Sequence, residues 1–229
     1  MNNEYEINQL VKEDSWRMFR IIGELVEGFD SLSDIEPAVT IYGSARTKPD
    51  NKIFAQTEEI AALLGKAGFN IMTGGGPGVM EAANMGARKA GVRSVGLNIK
   101  LPVEQACNVY ADKVITFHHF FVRKVMLVKY ATAFVIMPGG LGTLDELTEV
   151  LNLIQTQKIR PFPVILFSSE YWAGFLDWLK STVLAQGNIS REDFDLLRVF
   201  DSPSEVASAV QNWYTRQVVV GQKALEYHI

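Results

Sequence analysis

The chain has 229 residues, 48% of them hydrophobic, so it can bury a full core and is of a size typical of one α/β domain. Its formal net charge of −4 argues against general nucleic-acid binding, which needs a basic face. A single cysteine, Cys107, excludes an internal disulfide framework and is expected to be an inert buried thiol. No apolar run has transmembrane length and the N-terminus lacks a signal-peptide layout, so we expect a cytoplasmic protein without a membrane partner.

Residues 1–36 are predicted to form a helical extension that precedes the main domain. Between residues 5 and 29, apolar side chains recur at helical spacing with charged side chains between them, as in an amphipathic helix. Residues 31–37 are predicted to be a linker. The main domain is predicted to span residues 37–215, followed by a polar, poorly ordered tail at residues 216–229. The extension is expected to pack over the domain or to join a neighbouring subunit.

A first strand is predicted at residues 38–42, and Ser44 and Arg46 lie in the turn that follows it. Ligands of open parallel sheets bind outside the carboxyl ends of strands, so this turn is placed where a ligand could lie. A solvated loop serine and arginine would fit the sequence equally well. The next helix is predicted at residues 54–67, where Gly68 is a suitable residue to end it.

A glycine-rich turn, Gly-Gly-Gly-Pro-Gly at residues 74–78, lies between a predicted strand at residues 70–73 and a predicted helix at residues 79–90. Backbone N–H groups at a helix N-terminus favour an anion. The residues of this turn and helix start that we consider candidates for substrate binding are Gly75, Gly76, Met80 and Glu81. The alternatives stay open, because Met80 could pack in the core and Glu81 could interact with the helix dipole.

Two further strands are predicted at residues 94–99 and 113–117, and we expect the loop between them to be mobile and close to the site. His118 and His119 follow the second of these strands. They lack a third ligand at the spacing of a zinc site, and we therefore predict no metal.

Arg123 and Lys124 lie near the beginning of a helix predicted at residues 120–130. Cationic side chains near a helix N-terminus oppose the macrodipole, and local conflicts of this kind are expected at functional sites. Both residues are therefore candidates for contact with an anionic substrate. The alternative is a basic surface pair without a function.

The most distinctive stretch is Pro138-Gly-Gly-Leu-Gly-Thr143, which follows an apolar run at residues 133–137 that is typical of a strand buried on both faces. Thr143 and Glu146 have the spacing of a capping box, so a helix is predicted to begin here. Close approach of glycine backbone N–H groups and the helix dipole together favour a phosphate. The stretch matches neither G-x-G-x-x-G nor the P-loop. A tight strand-to-helix turn with a good cap is the alternative.

The remaining predicted elements are a strand at residues 163–167, a helix at 171–184, a short edge strand at 199–200 and a helix at 204–214. Strands and helices thus alternate along the whole main domain. This alternation predicts an α/β fold, a single Rossmann-like domain with a doubly wound, mostly parallel sheet.

The stretch Pro138-Gly-Gly-Leu-Gly-Thr-Leu-Asp-Glu146, together with Arg123-Lys124 and Gly74-Gly-Gly-Pro-Gly-Val-Met-Glu81, resembles the LONELY GUY family of cytokinin riboside 5′-monophosphate phosphoribohydrolases. The likeness spans residues 39–163. The form of the first glycine turn and the helical extension are similar to the longer bacterial branch of that family. Members often carry the label lysine decarboxylase, but the sequence offers no sign of a pyridoxal-phosphate site, and we reject that label.

The resemblance implies hydrolysis of the N-glycosidic bond of a nucleoside 5′-monophosphate to a free base and ribose 5-phosphate, without a cofactor. It places the catalytic arginine and glutamate on Arg123 and Glu146. The phosphate-binding positions fall on Gly139, Gly140, Gly142 and Thr143. An ionised Glu146 would stabilise positive charge on the ribose or orient water. Arg123 stays protonated and suits anchoring of the substrate better than proton donation. Glu146 as a mere helix cap is the alternative.

AMP or a related purine nucleotide is the expected substrate, because the departure from the short plant-type members puts a cytokinin preference in doubt. The resemblance also implies a homodimer or a higher homo-oligomer. The competing hypothesis is a non-catalytic nucleotide or molybdenum-cofactor carrier built on the same fold. A carrier needs only the glycine turns, so the presence of both Arg123 and Glu146 favours the enzyme.

Overall fold

The computed structural model describes residues 14–101 and 107–226, in which strands and helices alternate along the chain. The elements are α1 (Asp14–Leu32), β1 (Ala38–Tyr42), α2 (Lys52–Lys66), β2 (Asn70–Thr73), α3 (Val79–Ala90), β3 (Ser94–Ile99), β4 (Lys113–Phe117), α4 (Phe120–Lys129), β5 (Ala131–Ile136), α5 (Leu141–Gln155), β6 (Val164–Phe167), α6 (Ser169–Trp178), α7 (Arg191–Phe194), β7 (Leu197–Phe200) and α8 (Pro203–Glu226). A π-helical segment, Leu179–Leu184, continues α6.

The strands form one sheet in the order β4-β3-β2-β1-β5-β6-β7, and each neighbouring pair in the described chain is parallel. This confirms the doubly wound, Rossmann-like prediction, with a sheet that is wholly parallel. The two central strands, β1 and β5, are buried along their full length. Continuous apolar strands of this kind need cover on both faces, which the crossover helices supply.

Two hydrophobic cores lie on the two sides of the sheet. One contains side chains from α1, α4 and α5 together with Trp172 of α6. The other contains side chains from α2, α3 and α8. Alternate residues of β5 contribute to the two cores, with Phe134 in the first and Val135 in the second. The sheet is therefore rigid at its centre, where the strand ends must position the site.

The direction in which successive strands are added to the sheet reverses at β1. β2, β3 and β4 lie on one side of β1, and β5, β6 and β7 lie on the other. In open α/β sheets the ligand crevice lies at such a switch point, outside the carboxyl ends of the strands. Backbone hydrogen bonds continue beyond both strands: Met137 N–H donates to the Tyr42 carbonyl and Ser44 N–H donates to the Pro138 carbonyl. The two turns that form the crevice are therefore fixed to each other.

Several boundaries differ from the sequence predictions. α8 continues to Glu226, although we predicted that it would end at residue 214 and that the tail from 216 would be poorly ordered. Gly221 is the one strong helix breaker in that segment and costs only about 1 kcal/mol in a helix interior. α1 extends to Leu32, into the predicted linker, and residues 5–13 of the predicted extension lie outside the described residues. No helix within residues 14–101 and 107–226 is long and apolar enough to cross a membrane.

Candidate active site

A large cavity of about 1520 Å³ opens at the carboxyl ends of the central strands. It lies at the switch point, between the turn after β1 and the beginning of α5. The residues predicted to form a site that line it are Ser44, Met80, Arg123, Gly139, Gly140, Gly142, Thr143 and Glu146. Arg46 lines it as well, as an exposed side chain. The fold thus brings the turn before α5, both predicted catalytic residues and, from the other glycine-rich turn and its helix, Gly74 and Met80 to one crevice.

The N-terminus of α5 faces this cavity. Its N-cap is Gly140, which supplies no side-chain cap, and the first helical residues are Leu141, Gly142 and Thr143. The first N–H groups of a helix have no intrahelical acceptor, so this end can bind an anion. A Cβ on Gly139 would collide with the Thr143 side chain, so only glycine fits there. We call Gly139, Gly140, Gly142 and Thr143, the four residues predicted to bind phosphate, the phosphate cradle.

The predicted capping box is wrong. α5 begins two residues before Thr143, whose side chain is buried in the first turn rather than placed at the N-cap. Glu146 therefore lies in the second turn, too far along the helix to cap it. The glycines of the turn continue into a helix without any side-chain cap, which leaves the first N–H groups accessible to a ligand.

Glu146 instead forms an ion pair with Arg123. The Arg123 Nη2 donates to Glu146 Oε1 over 3.1 Å, and only 12% and 15% of the two side chains are exposed. The guanidinium carbon of Arg123 lies 5.4 Å from the centre of the Phe120 ring. The Arg123 Nε is buried and has no hydrogen-bond acceptor in the described part of the chain. The ion pair thus lies at the cavity wall, and one N–H group of Arg123 has no acceptor among the described residues.

Burial raises the pKa of Glu146 from its ordinary value of 4.5 to about 7, because desolvation of the carboxylate outweighs the attraction of Arg123. The neighbouring charge of Asp145 raises the pKa further, and Lys124 opposes it. A carboxyl group that titrates near neutrality can exchange a proton at physiological pH. Perturbed carboxyl groups in a cleft are typical of catalytic sites.

The second glycine-rich turn contributes less than we predicted. Gly74 and Met80 line the cavity, but Gly75, Gly76 and Glu81 do not. The Gly75 backbone has a φ of +74° and its N–H donates to Thr73 Oγ1. The carbonyls of Gly75 and Gly76 accept hydrogen bonds from the side chain of Asn108. The backbone of this turn is therefore bound within the protein, and the helix start it precedes meets the cavity through Met80.

Lys124 also lies outside the cavity wall. Its Nζ contacts Asp145 at 3.0 Å and Glu149 at 3.1 Å, both on α5. Burial alone would lower the pKa of Lys124, but the hydrogen bonds that it donates to these two carboxylates outweigh burial, and the pKa is raised. Its positive charge is therefore balanced by α5, and its contact with a substrate remains a prediction.

Three site residues were missed by the sequence reasoning. Tyr171 of α6 lines the cavity and donates a hydrogen bond to the Gly139 carbonyl. Tyr42, at the end of β1, also lines it, and burial together with the Glu146 and Glu149 charges raises the pKa of its hydroxyl well above 10. Asn108 holds the second glycine turn from a distance of more than 30 residues in sequence. Sequence spacing alone carries no signal for contacts of this kind.

The two histidines have another role. The backbone N–H groups of His118 and His119 donate to the Glu24 carboxylate of α1, and both rings lie 3.2 Å from Glu24 Oε1. No group of three potential metal ligands is found among residues 14–101 and 107–226. Glu24 thus links α1 to the two residues that directly precede α4.

A protein-family model described as "possible lysine decarboxylase" matches residues 80–210, more than half of the chain. The chain belongs to this family. Curated relatives of the chain bear the name cytokinin riboside 5′-monophosphate phosphoribohydrolase, which confirms the LONELY GUY resemblance of the motifs. The matched region contains the Arg123–Glu146 pair and the phosphate cradle.

This LONELY GUY family member is similar to two relatives of different length. It is 28% identical over 174 residues to the cytokinin riboside 5′-monophosphate phosphoribohydrolase of Mycobacterium marinum. The match covers 75% of the chain and 91% of the relative. It is 26% identical over 180 residues to the pyrimidine/purine nucleotide 5′-monophosphate nucleosidase of Escherichia coli K12. This match covers 74% of the chain but only 39% of that larger relative.

Among solved structures, the molybdenum cofactor binding protein of Rippkaea orientalis superposes on this family member with a TM-score of 0.56. The two are 23% identical, and the match covers 77% of the chain and 95% of the other protein. At this level of identity the likeness supports the fold and says nothing about the ligand.

Proposed function

We propose that the protein hydrolyses the N-glycosidic bond of a nucleoside 5′-monophosphate and releases a free base and ribose 5-phosphate. The observation that carries this proposal is the buried Arg123–Glu146 pair at the wall of the same cavity onto which the phosphate cradle opens. A carrier would need the cradle alone. The names of the Mycobacterium marinum and Escherichia coli relatives support the same kind of reaction.

The 5′-phosphate is proposed to bind at the N-terminus of α5. Its negative charge would meet the first N–H groups of the helix and the positive end of the dipole. The open space around Gly140 and Gly142 lets a phosphate approach the backbone closely, since no described atom lies near a Cβ position there. The ribose would then lie between this cradle and the ion pair.

The Glu146 carboxylate is proposed to act on the ribose. As the bond from C1′ to the base nitrogen breaks, its electron pair leaves with the base and positive charge develops on the ribose ring. An ionised Glu146 stabilises that charge, or it takes a proton from the water whose oxygen attacks C1′. The departing base nitrogen gains one proton, so that one water is divided between the free base and ribose 5-phosphate. Its pKa of about 7 allows both the ionised form and proton uptake at neutral pH.

Arg123 is proposed to anchor the substrate. A guanidinium stays protonated at physiological pH, so it is a poor proton donor to the leaving base. It holds Glu146 in place through Nη2, and its side chain, 12% exposed at the cavity wall, can donate its other guanidinium N–H groups to a substrate oxygen. Such fixed donors are most effective in a site from which water is excluded.

AMP or a related purine nucleotide is the proposed substrate, and a homodimer the proposed minimal unit. Exposed apolar side chains of α1 and α4, such as Phe19, Ile22 and Phe121, support a subunit contact on that side of the molecule. Light scattering of the purified protein gives the assembly size directly, and a monomer at micromolar concentration would contradict the second proposal.

The experiment that tests the function compares the wild-type protein with Glu146→Gln. We expect the wild type to release adenine from AMP and the variant to bind AMP with a similar Kd but to release no adenine. Chromatography of the free base and calorimetry of binding provide the two measurements. Glu149→Gln, one turn further along α5, is the matched control and should retain activity.

Two results would contradict the proposal. Unchanged turnover by Glu146→Gln would remove this residue from the mechanism. Tight binding of a pterin or nucleotide by the wild type, with no base released from any monophosphate, would instead support the carrier hypothesis.

A further inference from the structure

Tyr171 makes a hydrogen bond to the phosphate cradle that the family motif does not include. Its Oη donates to the Gly139 carbonyl oxygen over 2.6 Å. Tyr171 is in the first turn of α6, and its ring packs edge-on against Trp172, with 5.1 Å between the ring centres. Trp172 is buried in the core of the sheet. Tyr171 itself is 50% exposed, and its hydroxyl reaches the cavity wall from the side of α6 that faces solvent.

The hydrogen bond to the Gly139 carbonyl also fixes the direction of the next N–H group, that of Gly140. A trans peptide is planar, so the N–H of a residue points opposite to the carbonyl of the residue before it. Ser44 N–H binds the Pro138 carbonyl over 3.1 Å, and Tyr171 Oη binds the Gly139 carbonyl. These two bonds orient the N–H groups of Gly139 and Gly140 away from Ser44 and Tyr171.

The glycine backbone alone would not keep the Gly140 N–H in this orientation. It populates more backbone conformations than any other residue, so an unrestrained Gly139–Gly140 peptide can rotate and withdraw its N–H from an anion. Gly140 has no side-chain contact of its own to resist this rotation, and its Cβ position is empty of neighbours in the described chain. Among the described residues, the Tyr171 hydrogen bond restrains this peptide plane through its carbonyl oxygen.

We infer that Tyr171 is a positioning residue that orients the Gly140 N–H toward a bound phosphate through the Gly139 carbonyl. The inference rests on the proposed function in that the anion is the 5′-phosphate of the substrate. It assigns Tyr171 to binding of the phosphate and not to cleavage of the glycosidic bond, which lies at Arg123 and Glu146.

Tyr171→Phe tests this inference, because it keeps the ring and removes only the hydroxyl. The matched control is Tyr130→Phe, whose hydroxyl also donates to a backbone carbonyl, that of Phe29, but does not line the cavity. Calorimetry with ribose 5-phosphate measures phosphate affinity without catalysis. Steady-state kinetics with AMP separates KM from kcat, and thermal unfolding monitors the fold.

We expect Tyr171→Phe to bind ribose 5-phosphate about five- to tenfold more weakly, the usual effect of one neutral hydrogen bond. KM for AMP should rise by the same factor, with kcat changed less than about twofold, and Tyr130→Phe should match the wild type in both. A loss of kcat with unchanged ribose 5-phosphate affinity, or unchanged affinity and KM, would overturn the inference.

Failure of the proposed function gives a different pattern. If the wild type binds ribose 5-phosphate but releases no base, the enzymatic proposal fails and weaker binding by Tyr171→Phe still supports the inference. If the wild type releases adenine and Tyr171→Phe does so with the same KM, the inference fails and the function stands. If the wild type does not bind ribose 5-phosphate, the phosphate cradle does not bind phosphate, and the inference fails as well.

Discussion

Replacing Glu146 with glutamine should stabilise the protein at alkaline pH. The folded-state pKa of Glu146 is about 7, against an ordinary value of 4.5 that applies in the unfolded chain. Below pH 4.5 the carboxyl is protonated in both states and imposes no penalty. As the pH rises from 4.5 to 7, the unfolded chain releases the proton first, so the free energy of unfolding falls.

The size of this effect follows from the two pKa values. At about 1.36 kcal/mol per pKa unit, the wild type loses about 1 kcal/mol of stability by pH 5 and about 3 kcal/mol by pH 8 relative to a form that stays neutral. Glutamine stays neutral at every pH, and its side-chain oxygen can still accept a hydrogen bond from Arg123. Glu146→Gln should therefore be about 1 kcal/mol more stable than the wild type at pH 5 and about 3 kcal/mol more stable at pH 8.

Urea unfolding of the ligand-free proteins at both pH values, at one protein concentration, measures the difference. Glu149→Gln is the control, because it removes a carboxylate of the same helix that is more exposed than Glu146 and paired with Lys124, and it should bring no gain. If Glu146→Gln shows the same stability difference from the wild type at pH 5 and pH 8, Glu146 does not have the raised pKa on which its proposed role depends.

The remaining predictions concern activity. Adenine release from AMP at low substrate concentration should rise about tenfold per pH unit below pH 7 and level off above it, as Glu146 loses its proton; a flat profile between pH 5 and 9 would contradict an ionised Glu146. Gly139→Ala should weaken ribose 5-phosphate binding by more than about tenfold, because its Cβ would collide with Thr143, whereas Gly174→Ala, in open space on α6, should leave binding unchanged. Arg123→Gln should lower kcat by about 10²- to 10³-fold and Lys124→Gln far less, since only Arg123 lines the cavity; equal losses in the two variants would show that both contact the substrate.

The fold could be predicted from the sequence because its signals are local. Apolar runs at residues 94–99 and 113–117 and glycines such as Gly68 and Gly91 mark the strands and helix ends, and both glycines adopt positive φ after their helices. Alternation of strand and helix then permits few topologies. The length of α8 was missed because its last part contains three β-branched valines at residues 218–220 followed by Gly221, all of which have low helix propensity.

The site could be predicted only in part. The motifs indicated Arg123, Glu146 and the phosphate cradle, all of which line one cavity, yet the spacing of Thr143 and Glu146 also matched a capping box that does not form. A pattern of two residues cannot tell a cap from a buried ion pair, because the partner of Glu146 lies on another helix. Tyr171 was missed for the same reason, since its acceptor is 32 residues away in sequence.

The bond that the protein is proposed to cut joins C1′ of the ribose to the base. Incubation of the wild type with AMP in H₂¹⁸O, followed by mass spectrometry of the products, tests this proposal most directly. We predict one adenine per AMP consumed, with ¹⁸O in the ribose 5-phosphate and none in free phosphate. Release of adenosine with ¹⁸O-labelled phosphate, or recovery of bound but intact AMP, would contradict the account.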